Sequence, residues 1–173
     1  APGVLPGTHC KWIEIVDRVV HRFVTAMTGE LFDVLSRHSI LARLLRPIES
    51  TPNVGAGFHR GLLAAQAARR NGQSLAQILF SARTLPLLGD LPEAEIADYL
   101  SGMLVGDEVG AACARYPRDL PFVVIGEPAA AERYRSAIAS LQPERNVGVL
   151  PDTAPEGLWR IATACGWWPS AKT

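Results

Sequence analysis

Two short, continuously apolar runs near the C-terminus constrain the fold more than any other feature of the sequence. Residues 121–125 (Pro-Phe-Val-Val-Ile) and 146–150 (Asn-Val-Gly-Val-Leu) are typical of strands buried on both faces. A helical pattern that begins at Gly126-Glu127-Pro128 separates them, and another begins at Pro155. This β-α-β-α order predicts parallel strands joined by right-handed crossovers. Ligands of such sheets bind beyond the carboxyl ends of the strands, where Gly126 and Pro151-Asp152 lie.

The N-terminal part of the chain alternates with the period of a β-strand. Residues 4–28 predict a β-hairpin whose tight connection is Asp17-Arg18. Thr28 is a favourable N-cap for the helix that follows, and Glu30 suits the positive end of the helix dipole. A strand that opens a helix in this way leaves N–H donors free. Thr28, Gly29 and Glu30 are therefore candidates for binding an anion or a substrate hydroxyl, with a simple capped helix start as the alternative.

Helical patterns fill the middle of the chain after a loop that composition predicts over residues 46–57. One helix is predicted from Phe58 to Asn71-Gly72, and Ser74 is predicted to cap the next. Residues 85–91 are predicted to form a turn region. Pro92 is predicted to be the first residue of a long helix.

Glycines recur every four residues along one side of the predicted long helix, at Gly102, Gly106 and Gly110. Each costs about 1 kcal/mol of helix stability relative to alanine. Such a ridge allows another backbone to approach closely or a ligand to lie against it, and close packing is the favoured interpretation.

Composition limits the kinds of partner. The 173 residues fit one domain, and 17 Lys plus Arg against 17 Asp plus Glu give no net charge. This balance argues against nucleic acid and against a polybasic membrane contact. No apolar run approaches the ~20 residues of a membrane-spanning helix. The chain begins Ala-Pro-Gly, without an initiator Met or a visible secretory signal, which suggests a fragment or a processed chain.

The cysteines are odd in number and widely spaced, at Cys10, Cys113 and Cys165. This pattern favours a reduced, cytoplasmic protein over a disulfide framework. Cys113 and Cys165 fall in helical patterns and are predicted to be small core residues. Three tryptophans of the last segment, Trp159, Trp167 and Trp168, are predicted to be packing residues.

The segment with the most candidate functional side chains is Leu5–Trp12 (Leu-Pro-Gly-Thr-His-Cys-Lys-Trp). Pro6-Gly7 predicts a tight turn at the head of a strand. A hydroxyl, an imidazole, a thiol and an ammonium follow in a row, on Thr8, His9, Cys10 and Lys11. Backbone N–H groups of the turn together with the Lys11 charge suit a phosphate. A polar β-turn without a ligand is the alternative.

Four segments in a fixed order form a combination more specific than any one of them. They are residues 5–12 above, Met27-Thr-Gly-Glu-Leu-Phe32 with His38-Ser39, Asp98-Tyr-Leu-Ser-Gly-Met-Leu-Val-Gly-Asp-Glu108 and Gly157-Leu-Trp-Arg-Ile-Ala162. Together they span nearly the whole chain and resemble the 2-dehydro-3-deoxygalactonokinase family. That family uses ATP and Mg²⁺ to phosphorylate a 2-keto-3-deoxy sugar acid at its terminal hydroxyl in galactonate breakdown.

The resemblance implies an α/β fold of the actin-like, ribonuclease-H-like type. An N-terminal β-hairpin, a helical insertion and a mixed β-α-β-α sheet would form one lobe, with residues 1–173 as the C-terminal lobe of the kinase. Actin-like kinases carry an Asp-x-Gly-Thr motif in their first half, and this sequence has none. The N-terminal lobe is therefore expected to be absent from this chain, together with much of the metal and phosphate site. A homo-oligomer remains open.

The resemblance also assigns residues. Gly7, Thr8, His9 and Lys11 would form the second phosphate-binding turn of the kinase. Gly126 and Glu127 would lie near the adenosine, and Thr28, Gly29 and Glu30 would face the cleft. The family pattern has Ser where this chain has Cys10, and no metal ligand is assigned.

Two further roles rest on side-chain chemistry. His9 is a candidate base for the sugar hydroxyl, since histidine titrates near neutral pH, and a carboxylate of the absent lobe is the alternative. Arg83 is a candidate for the substrate carboxylate, with a surface arginine at a helix end as the alternative.

Two other classes of function are kept as hypotheses. One is a cysteine-dependent enzyme that uses Cys10, although neighbouring strand residues such as His9 point to opposite faces. The other is a non-catalytic, actin-like module that binds a partner or regulates one.

Overall fold

A computed structural model describes residues 2–45 and 54–167. The described strands form one five-stranded mixed sheet in the order β3-β2-β1-β4-β5. They are β1 (Pro2–Leu5), β2 (Cys10–Val16), β3 (Val19–Ala26), β4 (Phe122–Ile125) and β5 (Val147–Leu150). The helices are α1 (Thr28–His38), α2 (Ala56–Arg70), α3 (Leu75–Ile78), α4 (Ser81–Leu87), α5 (Ile96–Arg115), α6 (Pro128–Leu141) and α7 (Ala154–Ala164), with 3₁₀ turns at Ile40–Arg43 and Glu93–Glu95.

Strand β1 lies at the centre of the sheet. It pairs antiparallel with β2 and parallel with β4, and β4 pairs parallel with β5. The predicted parallel pairing of the two C-terminal strands is confirmed. The predicted burial of both strands on both faces is wrong, because β5 lies at an edge of the sheet with its last three residues exposed. The predicted hairpin over residues 4–28 was incomplete, because the N-terminal segment forms three strands. A strand of four residues that contains Pro2 and Gly3 shows too little alternation to be recognised.

The connection between β2 and β3 is the tight turn that the sequence predicted. Asp17 and Arg18 both have positive φ angles, of 49° and 67°. Two consecutive left-handed residues are typical of the turn that matches the twist of a two-residue hairpin. Strand β3 forms an edge of the sheet, and seven of its eight residues are exposed.

Helix α5 separates two apolar clusters. On one side, Val105, Val109 and Cys113 pack with buried residues of the sheet, α2 and α6. On the other side, Leu100 and Met103 pack with α4 and the first 3₁₀ turn. Burial of each large apolar side chain stabilises the fold by about 1.5–3 kcal/mol. The helix therefore connects the sheet to the helical insertion.

The glycine ridge of α5 packs against the backbone of α2. A Cβ on Gly102 would lie 2.1 Å from the Phe58 carbonyl oxygen, and one on Gly106 would lie 3.0 Å from the Ala65 Cβ. The favoured interpretation, close helix packing, is confirmed at these two positions. At Gly110 the nearest atom is instead the Cδ of Arg69, at 3.5 Å.

Several predicted helix starts differ from the structure. Helix α1 begins at Thr28 itself, and Met27 stands at the N-cap without a side-chain hydrogen bond, so the predicted Thr28 cap is wrong. Helix α2 begins at Ala56, inside the predicted loop, and residues 46–53 of that loop lie outside the described residues. Ser74 does cap α3, because its backbone N–H donates to Gln77 Oε1 at 2.7 Å.

The region before the long helix also differs. Helix α4 continues to Leu87, so residues 85–87, the first three of the predicted turn region 85–91, are helical. Pro92 precedes the 3₁₀ turn Glu93–Glu95, and α5 itself begins at Ile96. The prediction that Pro92 is the first residue of the long helix is therefore wrong; Pro92 is the N-cap of a 3₁₀ turn that precedes it.

The C-terminal helix buries none of its side chains among the described residues. Cys165 is exposed, which contradicts its predicted place in the core, whereas Cys113 is buried as predicted. Trp159 is 53% exposed and Trp167 is 75% exposed, so neither is the sealed packing residue that was predicted. Trp168 lies outside the described residues. Within the described ranges, no helix combines the length and apolarity needed to cross a membrane.

Candidate functional site

The turn between β1 and β2 lies beside the end of β4. Because β1 and β4 are parallel, their carboxyl ends meet at one edge of the sheet. A Cβ on Gly126, the residue after β4, would lie 3.5 Å from Pro6 Cδ and 3.8 Å from the Pro6 carbonyl oxygen. The structure therefore brings together the predicted phosphate turn and the predicted nucleotide segment, which are separated by more than a hundred residues in the sequence.

The first turn of α1 packs directly on the same turn. The Glu30 N–H donates to the Thr8 carbonyl oxygen at 3.0 Å. A Cβ on Gly29 would lie 2.6 Å from the Gly7 carbonyl oxygen and 2.7 Å from the Thr8 Cα. Glycine is required at position 29 because the two backbones touch there.

Three ionisable side chains gather at this contact. His9 Nε2 lies 2.5 Å from Glu30 Oε2, and the two side chains are 49% and 41% exposed. Lys11 Nζ donates to the His9 carbonyl oxygen at 2.8 Å, which leaves further N–H donors on the ammonium. The carboxylate orients the imidazole, and the ammonium stands at the turn, so both groups are accessible to a charged ligand.

A cleft of about 170 Å³ opens between the turn, the start of α1 and helices α5 and α6. Gly7, Thr28 and Gly29 line one wall, and Ser101 and Arg133 line the other. Arg133 Nη2 donates to Asp98 Oδ1 at 2.6 Å, and the guanidinium lies 5.1 Å from the centre of the Phe58 ring. Sequence reasoning missed Arg133 because its partner is 35 residues away and no local pattern marks the pair.

Glu127 caps α6. Its Oε2 accepts from the backbone N–H groups of Ala129 at 3.1 Å and Ala130 at 3.3 Å. Gly126 lines an open cleft of about 590 Å³ at the carboxyl ends of β4 and β5, together with Val149 and Leu150. Glu127 therefore caps a helix, and the Gly126 backbone faces the open cleft.

Arg83 is placed elsewhere. It lies on α4, and its Nη1 donates to the Ile40 carbonyl oxygen at 3.4 Å. It lines neither of the two clefts described above. The structure therefore does not bring Arg83 together with the turn residues.

A buried polar network lies below the turn. The Glu108 carboxylate accepts from Trp12 Nε1 and from the Tyr134 hydroxyl, each at 2.6 Å. Cys10 is fully buried beside it. Burial, reinforced by the Glu108 charge, raises the pKa of the Cys10 thiol well above its ordinary value, and burial likewise raises the pKa of Tyr134. Sequence reasoning missed this network, although Glu108 and Cys10 both lie in segments that carry the family resemblance.

The comparisons with known proteins agree with the geometry. The model of the 2-keto-3-deoxy-galactonokinase family matches residues 3–161. The chain belongs to this family. The resemblance inferred from four sequence segments is thus confirmed.

Relatives of this galactonokinase-family chain extend further than the chain does. The 2-dehydro-3-deoxygalactonokinase of Escherichia coli is 32% identical over 139 residues, which cover 80% of this chain and 45% of the relative. A Rhizobium meliloti protein, named a probable 2-dehydro-3-deoxygalactonokinase, is 34% identical over 136 residues, which are 79% of this chain and 44% of that protein. The chain therefore spans about half the length of the curated relatives it matches.

A solved structure shares the fold of the galactonokinase-family chain. The crystal structure of a candidate 2-dehydro-3-deoxygalactonokinase from Sinorhizobium meliloti superposes with a TM-score of 0.79 at 31% identity. The match covers 98% of this chain and 55% of that one. The mixed α/β architecture is therefore shared along nearly the whole length of the chain.

The galactonokinase-family chain has no thiol suited to nucleophilic attack at the site. A reactive cysteine requires access and a lowered pKa, and Cys10 has neither. His9 lies against Glu30 and not against the thiol. The geometry argues against the cysteine-dependent enzyme.

We expect iodoacetamide at neutral pH to modify one thiol of the native chain rapidly, at the exposed Cys165. Cys10 and Cys113 are buried, and burial raises both pKa values, so they should react only after unfolding. Intact-mass spectrometry counts the labels. A Cys165→Ser variant should take up none in the native state, and rapid labelling of Cys10 would restore the cysteine-enzyme hypothesis.

Within residues 2–45 and 54–167, no three His, Cys, Asp or Glu side chains are grouped so as to hold a metal ion. This described part of the galactonokinase-family chain therefore supplies no complete metal site.

Proposed function

We propose that this chain is the C-terminal, ribonuclease-H-like lobe of a two-lobed kinase. The kinase transfers the γ-phosphoryl group of ATP to the terminal hydroxyl of 2-dehydro-3-deoxy-D-galactonate. One observation carries the proposal: the β1–β2 turn, the start of α1 and Gly126 meet at the carboxyl ends of two parallel strands. Membership of the family supports the same reaction.

The lobe type is supported by the topology. Three antiparallel strands come first in the chain, and two parallel strands extend the sheet on the other side of β1. The relatives are about twice as long, and the Asp-x-Gly-Thr motif has no counterpart in this sequence. We infer that a second lobe closes the site from above the turn.

Phosphoryl transfer depends mainly on positioning and on stabilisation of negative charge. The ammonium of Lys11 and the backbone N–H groups around Gly7 and Thr8 would hold the phosphates of ATP. ATP supplies the phosphoryl group when bound. The described residues offer no set of ligands for Mg²⁺, so we assign no step of the reaction to it.

The proton of the sugar hydroxyl requires an acceptor. His9 is the candidate in this chain, because its imidazole contacts Glu30, the residue that follows the cleft-lining Gly29. A carboxylate of the second lobe is the alternative. Thr28 and Gly29 line the cleft where the sugar acid would lie.

The substrate carboxylate requires a cation. Arg133 lines the cleft beside Gly7 and is 15% exposed, whereas Arg83 contacts the 3₁₀ turn. A guanidinium binds a carboxylate through parallel hydrogen bonds. Arg133 is therefore a better placed candidate than Arg83.

The proposal is tested by a Lys11→Ala substitution in the two-lobed protein. Loss of a charge that stabilises the transferring phosphoryl group should lower kcat about a hundredfold. The value of kcat is measured from the release of ADP in a coupled assay. The melting temperature should stay close to that of the unmodified protein, since Lys11 is not buried.

Arg22→Ala is the matched control. Arg22 lies on β3 of the same sheet and pairs at the surface with Glu14 at 2.8 Å. This variant should keep its turnover. Full turnover in Lys11→Ala would refute the proposed phosphate site.

A non-catalytic module is not favoured, because the family match covers residues 3–161 and the named relatives are kinases.

A further inference from the structure

A second groove shares no lining residue with the cleft of the proposed kinase site. Its volume is about 410 Å³, and the C-terminal ends of α2, α5 and α6 line it. Gly110 on α5 belongs to this groove, whereas Ser101 on the same helix belongs to the kinase cleft. Nine residues of helix separate them, which is roughly 14 Å. The two sites are therefore distinct.

The groove carries an excess of positive charge. Arg69, Arg70 and Arg118 line it, and no Asp or Glu does. We call this feature the basic groove. The chain as a whole has no net charge, so the excess is local. Three cations that share one groove without a carboxylate repel one another unless an anion lies between them.

Five other arginine side chains among the described residues are paired with carboxylates, whereas Arg18, Arg43 and Arg115 are unpaired and lie outside the groove. Carboxylates lie 2.5–2.8 Å from the guanidinium groups of Arg22, Arg37, Arg133, Arg135 and Arg160. In the part of the chain that the structure describes, the guanidinium groups of Arg69, Arg70 and Arg118 have no ion pair and no hydrogen bond. Their donors are available to a ligand.

Helix dipoles explain only part of this arrangement. Arg69 and Arg70 stand in the last turn of α2, where a cation is favourable. Arg118, however, lies beyond the end of α5 at Arg115, in the connection to β4. The helix dipole of α2 therefore does not explain why Arg118 lies in the same groove.

Arg69 packs on the floor of the groove, against Gly110. A Cβ on Gly110 would lie 3.5 Å from Arg69 Cδ and 3.9 Å from its Nη1, so this side chain lies flat along α5. Burial raises the pKa of Cys113, and the nearby charges of Arg145 and Arg69 oppose that rise. The positive potential therefore extends to the floor.

Buried Arg145 holds the wall behind the floor. It donates to the Leu120 and Tyr116 carbonyl oxygens and to Gln142 Oε1, and it lies 4.0 Å from the centre of the Phe122 ring. Gln142 lines the basic groove and donates to the Cys113 carbonyl oxygen at 3.4 Å. The wall is thus fixed before any ligand arrives.

We propose that the basic groove binds a small phosphorylated anion through Arg69, Arg70 and Arg118. The planar guanidinium group donates two parallel hydrogen bonds to a pair of phosphate oxygens. Three guanidinium groups can therefore bind an anion that presents several such pairs of oxygens. The volume suits a small molecule. This site does not depend on the proposed kinase activity.

Pyrophosphate titrated into the 173-residue chain tests the proposal, with ionic strength held constant by chloride. Amide chemical shifts report each site separately, at Gly110 and Cys113 for the basic groove and at Gly7 for the kinase turn. We expect saturable shifts at Gly110 and Cys113. Arg69→Gln and Arg118→Gln should each weaken that binding at least about fivefold, and the double variant should abolish it.

The controls separate the two sites. Arg160→Gln removes an exposed arginine from α7 and should leave the affinity within twofold, as should Lys11→Ala. Arg118→Lys keeps the charge without the fork and should give an intermediate affinity. An absence of saturable shifts at the groove, or equal binding in the double variant, would overturn the proposal. If the double variant does not fold, the two single variants decide the question.

Discussion

Replacing Gly102 by alanine is expected to destabilise the fold by about 3 kcal/mol or more, in the upper range for overpacked cores. The new Cβ would lie 2.1 Å from the Phe58 carbonyl oxygen and 2.9 Å from its carbonyl carbon. Both atoms belong to the backbone of a helix, so no side-chain rotation relieves the overlap. Helices α2 and α5 would have to move apart, and buried residues such as Leu62 and Met103 would lose packing.

Gly110→Ala is the matched control, since it makes the same change two turns later in the same helix. The nearest atom is Arg69 Cδ at 3.5 Å, which is an ordinary contact with a flexible side chain. Higher helix propensity should then stabilise the chain by about 0.5–1 kcal/mol. Denaturant unfolding, followed by circular dichroism, measures the free energy of unfolding of both variants. If Gly102→Ala is as stable as the parent chain, the close packing of α2 on α5 is wrong.

Replacing Gly29 by alanine is expected to lower phosphoryl transfer by about a hundredfold in the two-lobed protein. The new Cβ would lie 2.6 Å from the Gly7 carbonyl oxygen, so the phosphate turn must shift by about an ångström to accommodate it. A displacement of this size moves the Lys11 ammonium and the backbone N–H donors away from the transferring group. Much of the loss should appear in kcat, because the geometry matters most in the transition state.

Gly157→Ala is the control for this prediction. Gly157 lies in α7, and no atom lies within 4 Å of a Cβ built there. It should keep full activity. Unchanged kcat in Gly29→Ala, with a cooperative melting transition, would show that the turn is not the part of the chain that positions the phosphates.

Local patterns were enough to predict the C-terminal half of the sheet. The apolar runs at residues 122–125 and 147–150 were recognised as strands, but burial on both faces was predicted wrongly for β5, because only the tertiary structure places it at an exposed edge of the sheet. The Asp17-Arg18 connection was also predictable, because the alternation changes phase there. Strand β1 was not, since four residues beginning Pro2-Gly3 carry no periodic signal.

The candidate site was only partly predictable. The turn, the start of α1 and the Gly126 segment were each recognised from their own residues. Their convergence was implied only by the resemblance to the kinase family, because strand β1 and its parallel pairing with β4 were not predicted; the 3.5 Å approach of Pro6 to Gly126 agrees with that implication. The roles of Arg133 and Glu108 were not predictable, because each acts on a partner at least 26 residues away.

The amino-acid sequence by itself determined the hairpin of β2 and β3, the β-α-β-α order of the C-terminal part, the turn before Lys11 and membership of a kinase family. These depend on backbone preferences, on spacing and on residue identity, which are local properties. Only the tertiary structure decided that Arg133 faces the cleft and Arg83 does not, that Cys10 is buried beside Glu108, and that three arginines share the basic groove. Those juxtapositions depend on how the helices cross the sheet, and the crossing is set by the packing of residues distant in the chain.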